Sequence, residues 1–301
     1  MNMKTAERTL FLSTVLIFIL IADCAAQIPQ RPFPNSDWKN VDTLGEAFVR
    51  ISYDMSFRTA LRYSSAETDN DTFGKTHDFS DNGYETESRI VEIGNGIRKD
   101  YSQILEEEEQ KDRKITTGSA PNLAKLIHPY EYIALQDGRF ITTARLINVN
   151  MKYEEQQENI QWQLTGKTSS IAGRNCSEAT TRFHGRDYIA WFCPEIPIDG
   201  GPWKFCGLPG LIIKVSDSEG HYSWEMTGIE QGIWPIYEKQ YNFLKCSKSD
   251  AVRTIKNMYA HPFAFLKMMK RDVHIVENNN VRSPGEKEES ISYYYDPLEL
   301  E

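Results

Sequence analysis

From Val49 to Phe57, apolar residues fill every second position: Val49, Ile51, Tyr53, Met55 and Phe57 alternate with Arg50, Ser52, Asp54 and Ser56. Successive side chains of an extended chain point to opposite faces, so a period of two commits this segment to a half-buried strand. The pattern returns at Ile147, Val149, Met151 and Tyr153, and again at Ile160, Trp162 and Leu164. Asn95-Gly96 lies between runs 89–93 and 97–101, and Asp137-Gly138 between 132–136 and 139–143. Both dipeptides supply the positive φ that tight hairpins need. Residues 174–193 read as another hairpin, turning at His184-Gly185-Arg186-Asp187. That turn sets Phe183 opposite Tyr188, Thr181 opposite Ala190 and Ala179 opposite Phe192 on the core side. Runs 211–215 and 222–226 form a further pair. Parallel crossovers would require helices between the strands, and the pattern shows none. The expected fold is therefore mainly β within the α+β class. It is a large curved antiparallel sheet or half-barrel of about nine to eleven hairpin-connected strands.

Helical periodicity is confined to two places. Ile104–Lys114, with Glu106–Glu109 ahead of Lys111, Arg113 and Lys114, reads as a short solvated surface helix. Ser249 is a candidate N-cap for Asp250–Ala260, where Val252, Ile255 and Tyr259 share a stripe, and Pro262 either ends that helix or opens a second.

The first 26 residues carry Lys4 and Arg8 before an apolar run, Leu10–Ala22, broken only by Ser13 and Thr14. This is the form of a secretory signal peptide, with cleavage expected after Ala26 and lipidation at Cys24 as the alternative that Asp23 disfavours. The expected organisation is an extended lead-in over 27–45, one β-rich domain over 46–277 with helices from about 249, and a flexible tail over 278–301. Residues 64–84 read as a polar loop. The net charge of −9 removes the electrostatic basis for nucleic-acid binding, and no second apolar run is long enough to span a bilayer.

Beyond the leader, Cys176, Cys193, Cys206 and Cys246 make an even set, which in an exported chain favours disulfides. The favoured connectivity clasps the loop Cys193–Cys206 and pairs Cys176 with Cys246; a short ring of this kind stabilises by about 2–3 kcal/mol. The competing pair is Cys176–Cys193, neighbours on one face of the expected hairpin. The clasped loop carries Pro194, Pro197, Pro202 and Gly200-Gly201 and runs into Gly207-Leu208-Pro209-Gly210-Leu211-Ile212. Pro209 and Gly210 suit a type II turn. It is either a corner that presses Leu208 and Leu211 inward or the apolar rim of a ligand site. Trp191 and Trp203, with Arg182 and Arg186, are the contact-surface candidates beside it.

No two histidines stand at helical metal-binding spacing, and Gly94-Asn95-Gly96 sits in a hairpin instead of opening a helix, so neither metal nor cofactor is expected. A hydrolase would need Glu195, Asp199, Asp217 or His184 to converge, or a Cys–His pair.

The segment 176–212, including "FHGRDYIAWF", "EIPI", "GPWKF" and "GLPGLI", resembles the exported GLPGLI family, and the similarity extends over about residues 45–230. The resemblance implies a signal peptide and a Gram-negative cell envelope, periplasmic or associated with the outer membrane. It supplies no reaction. Cysteines stand at 193 and 206 where the family pattern has Thr-like and Gly-like residues. The reading that follows is a non-enzymatic binding or assembly module for an apolar ligand or a protein partner, with an envelope hydrolase as the alternative.

Overall fold

A computed structural model describes residues 40–58, 84–112, 128, 130–146, 149–268, 275–277, 280–283, 285 and 296–300. The leader, residues 27–39 and most of the polar loop lie outside them. Among the described residues, fourteen strands and three helices follow in order. The strands are β1 (Asn40–Arg58), β2 (Tyr84–Gly94), β3 (Ile97–Ser102), β4 (Tyr130–Ala134), β5 (Arg139–Leu146), β6 (Val149–Gln156) and β7 (Gln163–Ile171). They continue with β8 (Arg174–Phe183), β9 (Arg186–Cys193), β10 (Leu211–Asp217), β11 (Tyr222–Gln240), β12 (Phe243–Lys245), β13 (Ile275–Glu277) and β14 (Asn280–Arg282). Helix α1 is Gln103–Asp112, α2 is Lys248–Ala260 and α3 is Pro262–Met268.

Twelve strands form one open sheet in the order β12-β6-β5-β4-β3-β2-β1-β11-β10-β9-β8-β7, antiparallel throughout except for the short parallel pair β12–β6. The alternation of Val49–Phe57 belongs to β1, which starts at Asn40, inside the segment expected as lead-in. Its partner β11 runs 19 residues, and register shifts at Thr43/Gly45, Ala47/Val49 and Ser52/Tyr53 mark bulges that let two such long strands twist together.

The turns explain the pairing. Asn95 and Gly96 both hold positive φ and close β2 on β3 in two residues. Gln136–Gly138 close β4 on β5 in three, with the Leu135 and Arg139 backbones bonded across the end. His184 (φ 46°) and Gly185 (φ 80°) likewise form a two-residue turn, so Phe183 faces Arg186 and Thr181 faces Tyr188. The four-residue turn read from sequence put this register two positions out. A shift of two leaves every side chain on its face, and Ala179, Thr181, Phe183, Tyr188, Ala190 and Phe192 are all buried as expected.

The sheet curls around its own loop. Phe140 of β5 and Phe183 of β8 stand near opposite ends of the strand order, yet both belong to one core. Lys204 lies over the Phe140 ring at 5.2 Å, and the neighbouring Trp203 packs against Phe183 at 5.6 Å. The segment 203–208 therefore fills the concave side, its Trp203 and Phe205 rings meeting edge to face. Helices α2 and α3 cover Ala144, Met151 and Tyr153 near the β6 end through Ala251, Ile255, Met258, Tyr259 and Phe265. The α2 cap is Ser247, whose hydroxyl accepts the Asp250 N–H; Ser249 bonds to the Ser247 hydroxyl instead. Pro262 opens α3.

Helix α1 is not the solvated helix of the sequence reading. Glu109 is fully buried, and its carboxylate bonds Arg145, Lys239 and the Tyr241 hydroxyl. Glu106 meets Lys239 at 2.5 Å and Tyr237 at 2.9 Å. The acids lock α1 onto β5 and β11.

Candidate functional site

The proline-rich loop between β9 and β10 is held by backbone bonds. Ile196 N–H donates to Cys193 O, Leu211 N–H to Ile196 O and Ile212 N–H to Gly200 O. The Asp199 carboxylate accepts the Gly207 N–H at 2.5 Å, and the Trp162 indole donates to Cys206 O at 2.8 Å. Trp203 adopts φ 50°, a left-handed conformation costly for a bulky residue, and is pinned there by its N–H bond to Asp100 at 2.7 Å.

The turn itself is not type II. Leu208 O accepts from Gly210 N–H at 2.8 Å, a three-residue turn centred on Pro209. Gly210 takes φ 149°, and a Cβ added there would stand 2.3 Å from Cys193 O. That close approach is what Gly210 provides. Leu208 and Leu211 are buried, so the motif is a corner that feeds β10 into the sheet between β9 and β11.

The four cysteines among the described residues, Cys176, Cys193, Cys206 and Cys246, carry free thiols in this structure. One step beyond the Ser177–Phe192 pair, Cys176 faces Cys193 across β8 and β9, and their thiols interact. Cys206 instead accepts from Gln157 at 3.2 Å, and Cys246 lies against Lys152 O. Neither the expected clasp nor the competing bridge is formed among the described residues; the two-residue turn makes Cys176 and Cys193 cross-strand neighbours.

The clasped-loop surface anticipated from Trp191, Trp203, Arg182 and Arg186 is dispersed. Trp203 is 1 % exposed and belongs to the core. Trp191 is half-buried on the opposite face of β9, paired with Glu178 and Lys214. Arg182 is exposed beside Asp187 at 3.2 Å. Arg186 is buried between Asp217 and Asp296.

The loop does build one concave feature. Ile196, Pro197 and Ile198, with Ile229 and Gln231 of β11 and with Arg174 and Glu195, line a cleft of about 470 Å³. Ile229 stands opposite Ile51 and Gln231 opposite Val49, which places both on the concave face. Glu195 accepts from Asn175 at 3.1 Å, so this polar lining group is tied to β8. The alternation that marks β11 could be read from sequence only to Met226, because Gly228, Gly232 and Pro235 interrupt it. Ile229 and Gln231 were missed for that reason.

The hydrolase candidates do not converge. Asp217 binds Arg186 and the Tyr222 N–H, His184 faces Lys204, Glu158 and Glu299, Asp199 holds Gly207, and Glu195 holds Asn175. Among the described residues these four share no hydrogen-bond partner. Asp217, Glu219 and His221 present ligand atoms within 4.8 Å of one another. Arg58 and Arg186 stand on the two ring nitrogens of that histidine at 2.9 and 3.3 Å, and their charge opposes a divalent ion there.

Residues 86–214 match the profile of a family described as "Protein of unknown function (Porph_ging)". No curated protein matches the chain in sequence. Among solved structures, PNGF-II in two space groups is similar at 15 % identity, with TM-scores of 0.42 and 0.41. The alignments cover 69 % and 70 % of this chain and 32 % and 34 % of the PNGF-II chain, so the chain spans about a third of that protein's length.

Proposed function

We propose that the chain is an exported cell-envelope module that binds an apolar ligand, or an apolar segment of a protein partner, without transforming it. The observation that carries this reading is the cleft between the 194–199 loop and β11. It presents isoleucine and proline side chains beside three polar ones, Arg174, Glu195 and Gln231. Binding sites of this chemistry gain from apolar area removed from water and take orientation from a few polar groups. The scatter of the candidate acids and bases supports binding over catalysis, since Glu195, Asp199, Asp217 and His184 are each engaged by a separate partner. Export is supported by the charged and apolar leader, and a mature chain starting at Gln27 is its expected product.

The test is native mass spectrometry of the protein purified from the envelope, beside Ile198→Asp and Ile229→Asp variants. The wild type is expected to retain an apolar molecule or a partner peptide that both variants lose while melting within a few degrees of it. Equal retention by the variants, or an empty wild type, overturns the reading.

A further inference from the structure

Residues 296–300, Asp-Pro-Leu-Glu-Leu, fall in the segment expected as a flexible tail, yet they lie in a socket on the concave side. Asp296 meets Arg186 at 2.5 Å and His221 at 2.8 Å. The same guanidinium donates to Pro297 O and Leu298 O, and the Tyr222 hydroxyl donates to Asp296 O at 2.6 Å. The Leu298 side chain is buried in the main core cluster. Glu299 meets Lys204 at 2.8 Å and also Lys248 at the start of α2, and Leu300 N–H donates to His184 O. The segment thus bridges the β8–β9 turn to α2.

Two properties separate this contact from an ordinary piece of the fold. The segment joins no strand ladder. Each cation it touches also has a carboxylate from the body of the protein: Asp217 for Arg186, and Glu155 for both Lys204 and Lys248. The body therefore holds its cations without the segment. With the segment gone, the three cations it touches, Arg186, Lys204 and Lys248, share two direct carboxylate partners, Asp217 and Glu155, around an apolar hole the size of a leucine side chain. Such a site selects an extended peptide with two carboxylates three residues apart and a leucine just before the second.

We propose that the socket is a recognition site for an acidic, leucine-bearing peptide of a partner protein, and that residues 296–300 are its detachable intramolecular occupant. This site is separate from the 194–199 cleft, so it stands or falls independently of the reading above. A tethered occupant competes at an effective concentration in the millimolar range, which keeps the intact chain closed to weak competitors and opens it to a better peptide.

The test uses a fluorescent peptide, Tyr-Asp-Pro-Leu-Glu-Leu-Glu, and fluorescence anisotropy. A chain ending before Asp296 is expected to bind it saturably, with affinity falling as salt rises. The intact chain is expected to bind roughly 100-fold more weakly. Peptides carrying Leu298→Ala, or Asp296→Asn with Glu299→Gln, are expected to lose binding. A truncated chain that still unfolds cooperatively but binds no peptide overturns the proposal. Should the truncated chain not fold, a protease site placed between residues 286 and 295 is cut after the intact chain has folded. Exchange of the released segment for labelled peptide then supports the proposal, and retention without exchange overturns it.

Discussion

Arg89 and Arg186 are the same device built in two ways. Both guanidiniums are buried, both lie near a tyrosine ring (Tyr132 at 5.9 Å, Tyr222 at 5.2 Å), and both bind two carboxylates and at least one backbone carbonyl. Arg89 draws every partner from its own strand or the nearby sheet: Glu87 from β2, Asp100 from β3 and Tyr130 O from β4. Arg186 has Asp217 from β10, the neighbouring strand, but its second carboxylate comes from Asp296, 110 residues on. The first circuit closes when the strands pair. The second closes only when a distant segment arrives. A buried charge left without a partner is costly, so the first arrangement is bound up with folding and the second is open to regulation.

The largest expected effect falls on the first circuit. Asp100→Ala removes the carboxylate that holds both Arg89 Nε at 2.6 Å and the strained Trp203 backbone N–H at 2.7 Å. The expected loss is about 3–5 kcal/mol, the range for stranding one member of a buried ion pair. Urea unfolding measures it. A loss below about 1 kcal/mol would show that the cluster relaxes freely and would erase the contrast with Arg186.

Asp296→Ala is the matching change in the second circuit. Arg186 keeps Asp217, so the expected loss is smaller, about 1.5–3 kcal/mol, the worth of hydrogen bonds to a charged group. The unfolding transition should stay single, and amide exchange in β8, β9 and β10 should keep its protection. If this variant instead unfolds as badly as Asp100→Ala, the distant segment is part of the cooperative core and the comparison fails.

The contrast also explains what could be read in the sequence. Strands, the main hairpins and the buried faces of β1, β8 and β9 follow from local rules, namely side-chain period and turn residues, and these were legible. Register was legible only as far as turn length was: the two-residue turn at His184-Gly185 sets Cys176 opposite Cys193, where the four-residue reading made them diagonal neighbours. Ionic partners were not legible. Glu106 and Glu109 sit in a run of acids that looks solvated, and the Lys239 that buries them lies 133 and 130 positions away. Asp296 and Glu299 look like tail residues for the same reason, since nothing near them in sequence marks the cations they meet. The cleft was half legible. The proline-stiffened wall announced itself, whereas Ile229 and Gln231 lie past the glycine that ends the clear alternation of β11.

Acid should separate the two kinds of contact by the smallest but most diagnostic margin. Burial pushes the Glu106 carboxyl up, but Lys239, with help from Gln110 and Lys99, outweighs it and holds the group down at about 2. A carboxyl depressed below its unfolded value of 4.5 contributes stability that is complete above that pH and is lost as pH falls toward 2. Glu299 shifts the same way: burial opposes ionisation, and Lys204, His184 and Lys248 overcome it. His184 adds a second, earlier step to the distant contact. Its burial, with Lys204 and Lys248 nearby, outweighs Glu299 and Glu158 and holds the imidazole below its ordinary 6.5. Because the unfolded form then takes up protons first, stability falls as pH drops below about 6.5. Residues 296–300 should accordingly loosen between about pH 6.5 and 4.5, while α1 keeps its protection until the pH is lower than 4.5. Pulsed hydrogen exchange across that range reads both regions at once, and His184→Gln is expected to move the loosening of 296–300 to the carboxylate range alone. Simultaneous loss of protection in α1 and in 296–300 would mean that one cooperative unit holds both, and that the Arg186 circuit is as permanent as that of Arg89.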